Sequence, residues 1–182
     1  MSLKLVLLDR DGVLNEVIRG NYVKGVDEFR WIPRSVDAVV RLQRAGFQVA
    51  VVTNQQGVAR GLMTAQDLDQ IHGRLADELV EAGGEPLQIY ACMHLESDDC
   101  DCRKPKPGLI RQALSQADCP PTEAILVGDS VRDMRAAQAA GVKFILVRTG
   151  VGVETEASLS GDGIRVENDL FEVSLKLAGG HE

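Results

Sequence analysis

The chain has 182 residues, 45% hydrophobic and 26% charged, a balance that suits one globular domain spanning residues 1–182 with its own core. A net charge of -7 speaks against a general nucleic-acid binder, which needs a basic face, and leaves room for a small anionic ligand where positive charge is gathered locally. No apolar run reaches the roughly 18 residues of a membrane helix, and no signal peptide precedes the first strand-like segment, so a cytoplasmic monomer with no membrane or nucleic-acid partner is expected.

The elements alternate along the chain. Leu3 to Leu8 is apolar apart from Lys4, the pattern of a strand buried on both faces. Val36, Val39, Val40 and Leu42 form a helical face, with Gly46 placed to follow its end. Phe47 to Val52 reads as the next buried strand. Thr64 and Asp67 form a capping-box pattern, and helical periodicity runs from about Leu68 to Val80 before Gly83-Gly84. Leu87 to Cys92 is a strand. Pro107 is expected as the first residue of a helix carrying Leu109, Ile110 and Leu114. Ala124 to Val127 is a strand, Val131 to Ala140 a helix and Lys143 to Val147 a strand. A short strand near Ile164 and a helix opened by Asn168 close the chain. Such alternation predicts an α/β fold with a parallel sheet and helices on both faces. Ligands in such folds bind beyond the carboxyl ends of the strands, and here four strands lead to Asp9, Thr53, Cys92 and Asp129.

Asp9 and Asp11 flank Arg10 where the chain leaves the first strand. Carboxylates this close repel one another unless a cation lies between them, and Mg²⁺ takes oxygen ligands while keeping waters for a phosphate to share. Asp is also a covalent nucleophile toward phosphate. A turn with two solvated aspartates would explain the pair alone, but not the other strand ends. Thr53 offers a hydroxyl for phosphoryl oxygens. Arg103-Lys104-Pro105 brings fixed positive charge. Asp129 is placed to complete a metal site, and Asp133 to orient Lys104 or the metal's waters.

Cys92 and His94 are followed by Cys100 and Cys102. Three thiols and an imidazole within eleven residues are a closed tetrahedral set for structural Zn²⁺, which would pin the loop that carries Arg103 and Lys104. Cys119 stands apart as a plain thiol. His72 is expected on the solvated side of its helix, and His181 in a terminal tail.

The order Asp-x-Asp-Gly-Val, Thr-Asn, Lys-Pro, Gly-Asp-x-x-x-Asp resembles the haloacid dehalogenase superfamily from Leu3 to about Gly150. The resemblance implies a Rossmann-like sheet, Asp9 as nucleophile, and Asp11 as the acid that protonates the leaving oxygen and then the base that activates water. It implies Mg²⁺ on the Asp9 carboxylate, the Asp11 backbone carbonyl and Asp129, with Thr53 and Lys104 completing the catalytic set. Members that store the phosphorylated state resemble this pattern with Thr in place of Asp11. Two phosphatase branches share the zinc loop, acting on heptose bisphosphate or on histidinol phosphate, and the loop itself is compatible with either.

Val52-Thr-Asn-Gln-Gln-Gly-Val-Ala-Arg-Gly61 is similar to the heptose branch, with Gln56 in place of the usual Ser. The segment Gly20, Asn21, Tyr22 resembles that branch's substrate loop. This implies a sugar-phosphate substrate bound by Gly20, Asn21, Tyr22, Asn54, Gln55, Gln56, Arg60 and Arg103, in a pathway toward nucleotide-activated heptose and lipopolysaccharide core. Ser130 stands where some members have Lys. Residues 12–46 and 54–103 leave no room for an inserted cap domain, so an open site is expected. A receiver domain also carries an acidic pair and a phospho-aspartate, but its Lys comes last and it has no zinc loop. A zinc-based interaction module would leave the aspartates unexplained, and a nucleic-acid 3′-phosphatase would need a stacking platform.

Overall fold

A computed structural model describes residues 3–159 and 163–179; His181 lies outside the described residues. Six parallel strands form one sheet in the order β3-β2-β1-β4-β5-β6. They are β1 (Leu5–Leu8), β2 (Gln48–Asn54), β3 (Gln88–Cys92), β4 (Ala124–Gly128), β5 (Lys143–Val147) and β6 (Arg165–Glu167). The helices are α1 (Ser35–Arg44), α2 (Ala65–Glu81), α3 (Gly108–Gln116), α4 (Val131–Ala140), α5 (Gly152–Ser158) and α6 (Leu170–Ala178). The strand order is that of the Rossmann fold, whose ligand crevice opens where the order reverses. Here that point lies between β1 and β4.

β1 is wholly buried because it pairs on both edges, Leu8 with Val51 of β2 and with Val127 of β4. Side chains alternate across the sheet. Val6 and Leu8 pack with Val39, Ile71, Leu75 and Val173, so α1, α2 and α6 cover one face. Leu5 and Leu7 pack with Leu109, Ile110, Ala136 and Ala137, so α3 and α4 cover the other. None of the described helices is long and apolar enough to cross a membrane.

The helix starts follow local chemistry, with two adjustments. Thr64 and Asp67 make the expected capping box at α2. Pro107 is the N-cap residue before α3 rather than its first member, its carbonyl accepting the first helical bond from the Arg111 N–H at 2.9 Å. Gly108 passes so close to the chain that a Cβ would sit 2.3 Å from the Asp101 carbonyl oxygen. Asp169, not Asn168, caps α6, accepting from the Glu172 N–H at 2.8 Å. β2 also continues two residues past Val52, because Thr53 and Asn54 pair with Ala91 and Cys92. That extension fixes the backbone under two site residues. Helix α5 was not predicted. No cap domain interrupts the described residues: α1 follows the loop after β1, and only α2, β3 and the cysteine-rich loop separate β2 from Arg103.

Candidate active site

The carboxyl ends of β1, β2 and β4 and the loop before α3 meet around a cavity of about 630 Å³. Every residue predicted for catalysis, Mg²⁺ or substrate lines it, from Asp9 and Asp11 through Gly20–Tyr22, Thr53–Gln56 and Arg60 to Arg103, Lys104 and Asp129. The zinc-type cluster lies outside it, at the end of β3.

Lys104 stands at the centre. Its ammonium lies 2.9 Å from Asp9 Oδ1 and 2.6 Å from Asp133 Oδ1, and its side chain is 3% exposed. Burial works against the charge, but Asp133 and Asp9 outweigh it and hold the lysine above its ordinary range. One ammonium does not satisfy three carboxylates. Carboxylate oxygens of Asp9, Asp129 and Asp133 lie within 4.8 Å of one another. Burial first, then the Asp133 charge, pushes Asp9 up to about 7. Burial and the Asp9 charge push Asp129 up to about 8. Such crowding of hard oxygen donors is what a divalent cation relieves.

Each carboxylate is held by its own loop. The Ser130 N–H and hydroxyl both donate to Asp133 Oδ2, at 3.1 and 2.6 Å, closing a capping box at the start of α4. This accounts for Ser130: it orients Asp133 toward Lys104. Asp129 Oδ2 accepts from the Val151 N–H at 2.9 Å. Gly12 and Gly150 press on the same oxygen from two sides, with φ of 90° and 62°, so that a Cβ on either would lie 2.1 or 2.0 Å from it. The Thr149 hydroxyl donates to the Gly12 carbonyl at 2.6 Å and ties the two loops together.

Asp11 is turned away from this group. Its Oδ1 accepts from Arg10 Nη2 at 3.0 Å and Asn15 Nδ2 at 2.9 Å, and its Oδ2 from Gln55 Nε2 at 2.7 Å. Burial would raise its pKa, but Arg10 and these hydrogen bonds hold it below the usual carboxylate range. Gln55 also donates to the Thr53 hydroxyl oxygen at 2.9 Å. The amide of Gln55, expected on substrate, is therefore used inside the site. The Asn54 side chain is likewise engaged within the protein: it donates to the Lys104 carbonyl and accepts from the Lys104 N–H, both at 3.0 Å, and so pins the lysine's backbone.

The rim is looser. Gly20 and Asn21 are exposed. Tyr22 accepts from Gln56 Nε2 at 2.6 Å and lies beneath Arg60, whose guanidinium is 5.9 Å from the ring centre. Arg103 is 8% exposed, with Nη1 3.5 Å from the His94 carbonyl oxygen. Arg19, in the loop after β1, and Arg132, in the first turn of α4, also line the cavity and were not predicted. His72 corrects an expectation too. It is half-buried and touches Arg10, not solvent-facing.

The sulfur cluster is compact. Cys92 Sγ lies 3.6 Å from Cys100 Sγ and 3.1 Å from Cys102 Sγ, and His94 Nδ1 is 3.2 Å from Cys102 Sγ and 3.7 Å from Cys92 Sγ. Zn–S bonds of about 2.3 Å in a tetrahedron give edges of about 3.7 Å, close to these separations. Burial, then Cys92 and Cys100, pushes Cys102 up to about 12, since thiols held this close resist joint ionisation without a cation. Cys119 is buried apart from the cluster.

A doubly wound sheet with a buried Asp-Lys-Asp centre at its switch point defines a hydrolase of the haloacid dehalogenase type. Comparison with known proteins agrees. A HAD-hydrolase-like family model matches residues 101–170. The chain is 46% identical over 175 residues to the D-glycero-β-D-manno-heptose-1,7-bisphosphate 7-phosphatase of Neisseria meningitidis, covering 95% of this chain and 91% of that one. It is 42% identical over 177 residues to the Pseudomonas aeruginosa protein of the same name, covering 97% and 99%. A crystal structure of D,D-heptose 1,7-bisphosphate phosphatase from B. bronchiseptica, complexed with magnesium and phosphate, superposes with a TM-score of 0.93 at 40% identity, over 98% of this chain and 99% of that one. The chain belongs to the heptose-bisphosphate phosphatase family of HAD-like hydrolases.

Two outcomes follow from this geometry. Gly150→Ala forces a methyl group onto Asp129 Oδ2 at a positive φ and should weaken divalent-cation affinity at least about tenfold, read from activity against Mg²⁺ concentration; unchanged affinity would mean Asp129 is not a ligand. Protein purified without chelators should contain about one zinc per chain, and Cys100→Ser should lose it by elemental analysis.

Proposed function

We propose that the chain is a phosphomonoesterase that removes the 7-phosphate of D-glycero-β-D-manno-heptose 1,7-bisphosphate through a phospho-aspartate on Asp9. The observation that carries this reading is the Lys104 ammonium held between Asp9 and Asp133 beside Asp129, at the switch point of an uncapped sheet. The family's named activity supplies the substrate.

Mg²⁺ is assigned to the Asp9 and Asp129 carboxylates and the Asp11 carbonyl; when bound it neutralises charge on the transferred phosphoryl group. The residues act in order. An Asp9 oxygen attacks phosphorus, and the ester P–O bond breaks with its electron pair on the sugar oxygen. Asp11 gives its proton to that oxygen, and the alcohol leaves. Asp11, now anionic, takes a proton from water as the water oxygen attacks phosphorus. The P–O bond to Asp9 breaks, inorganic phosphate forms and Asp11 is protonated again. Oδ1 of Asp11 already accepts two donors, so Oδ2, with Gln55 alone, handles the proton. The dianionic phosphate entering the site raises the proton affinity of Asp11 enough for the acid step. Lys104 and the Thr53 hydroxyl hold phosphoryl oxygens.

The substrate's far phosphate requires charge outside this centre, because Lys104 is committed. Arg103 offers a planar fork for phosphate oxygens, and Arg60 stands on the same side. Zn²⁺ on Cys92, His94, Cys100 and Cys102 has no open position, so its part is to hold the loop that presents Arg103 and Lys104. A cluster of reduced thiols fits a cytoplasmic setting.

Asp9→Asn should lower kcat more than about 1,000-fold with the fold intact, while Asp11→Asn should accumulate phosphorylated protein, seen as added mass; normal turnover in either variant refutes its assigned role. In a phosphate-release screen the wild type should favour heptose bisphosphate over histidinol phosphate and fructose bisphosphate. Arg103→Ala should raise KM for the bisphosphate about tenfold while changing KM for p-nitrophenyl phosphate little. Faster turnover of histidinol phosphate overturns the substrate assignment.

A further inference from the structure

Arg10 is 0% exposed, an unusual position for an arginine. Its Nη2 reaches Asp11, and its Nη1 lies 3.3 Å from Nε2 of His72 on α2. Its Nε has no hydrogen-bond partner among the described residues. A guanidinium only donates, so Nε2 of His72 is the acceptor and the ring proton rests on Nδ1. That requires a neutral ring. Burial, then the Arg10 charge, pulls His72 down to about 4, while Asp69 and Asp11 pull it up more weakly. His72 flanks the buried stripe Leu68, Ile71, Leu75 of α2, a helix that contributes nothing else named at the catalytic centre.

We infer that His72 is a positioning residue: its Nε2 anchors the Arg10 guanidinium, and through it fixes the rotamer of Asp11 for acid–base work. The inference rests on the phosphatase reading above. Arg10 has many rotamers, and among the described residues Asp11 and His72 are the two groups that receive hydrogen bonds from its guanidinium. Without the imidazole, Nη1 joins Nε as a buried donor without an acceptor, which the side chain relieves by swinging toward water. Asp11 Oδ1 then loses one of its two donors, and the carboxylate is free to turn its proton-bearing Oδ2 away from the leaving oxygen and the attacking water. Asn15 and Gln55 continue to hold Asp11 in the cavity, so the effect falls on turnover rather than on binding.

The test compares His72→Leu, which removes the acceptor, with His72→Gln, whose amide oxygen reaches about as far as Nε2. Both are checked for folding by thermal melts. His72→Leu should lower kcat about tenfold and leave KM within about twofold. The fraction of protein carrying the acyl phosphate after an acid quench should rise, because water attack slows. His72→Gln should recover most of kcat. In an Asp11→Asn background His72→Leu should cause no further loss, since it acts through a group already disabled. A folded His72→Leu with wild-type kcat overturns the inference, as does a loss that Gln fails to restore or one that adds fully to Asp11→Asn. Should His72→Leu fail to fold, His72→Gln is compared with His72→Asn, whose oxygen falls short of the Nε2 position; equal kcat in the two overturns it. A wild-type protein that releases no phosphate overturns the reading together with this inference, whereas active wild type with indifferent variants overturns the inference alone.

Discussion

Three carboxylates and one ammonium share a few ångströms at the carboxyl edge of the sheet. Fully ionised, they carry a formal charge of -2 in a place nearly closed to water on the protein side. Charge of that kind is costly to bury, and most of the surrounding architecture serves to hold it in place until a divalent cation and a phosphate arrive. The sheet supplies the platform, because β1 and β4 are neighbours and each leads directly to an aspartate. Their adjacency at the reversal of strand order sets Asp9 and Asp129 beside each other from distant parts of the chain.

The loops then restrict each charged group to one arrangement. Asn54 grips the Lys104 backbone with a reciprocal pair of hydrogen bonds. Ser130 does the same for Asp133 through a helix cap, so one serine both starts α4 and aims a carboxylate. Gly12 and Gly150 close on Asp129 because they have no side chains. On the other flank, the cysteine cluster draws an irregular segment into a fixed shape immediately before Arg103. The rim differs in kind: Tyr22, Gln56 and Arg60 contact mainly one another. These rim residues make none of the bonds that hold the charged centre.

Much of this was legible in the sequence, and the reasons differ by element. The central strands were readable because strands buried on both faces must be continuous apolar runs, as at β1 and β4. The clustered aspartates and Lys104 were readable as cavity residues because they sit at strand or loop ends in a fixed order, and the metal-type cluster because four soft ligands fall within eleven residues. The clamp of Thr149, Gly150 and Val151 was not readable: a glycine's purpose depends on what passes close to it in space. The bonds that Asn54 and Gln55 make within the protein were not readable, because a polar side chain beside a site looks the same in sequence whether it faces a ligand or the neighbouring loop. Arg10 was passed over and His72 was placed on the solvated side of its helix, because only the packing of α2 against the first loop reveals their contact.

The hydrogen bond from Thr149 to Gly12 joins residues 137 positions apart. During synthesis at about 5–20 residues per second, the first acidic loop leaves the ribosome well before the segment that clamps it. From the emergence of β2 until that of β4, β1 has only β2 to pair with and its second edge is open. The nascent chain thus carries an unpaired, strongly apolar strand edge until Ala124–Gly128 emerges, and the Asp9–Asp129 pair cannot form before then. The reactive centre is completed late in the growth of the chain, so an incomplete polypeptide exposes a sticky strand but lacks the assembled chemistry of the finished enzyme.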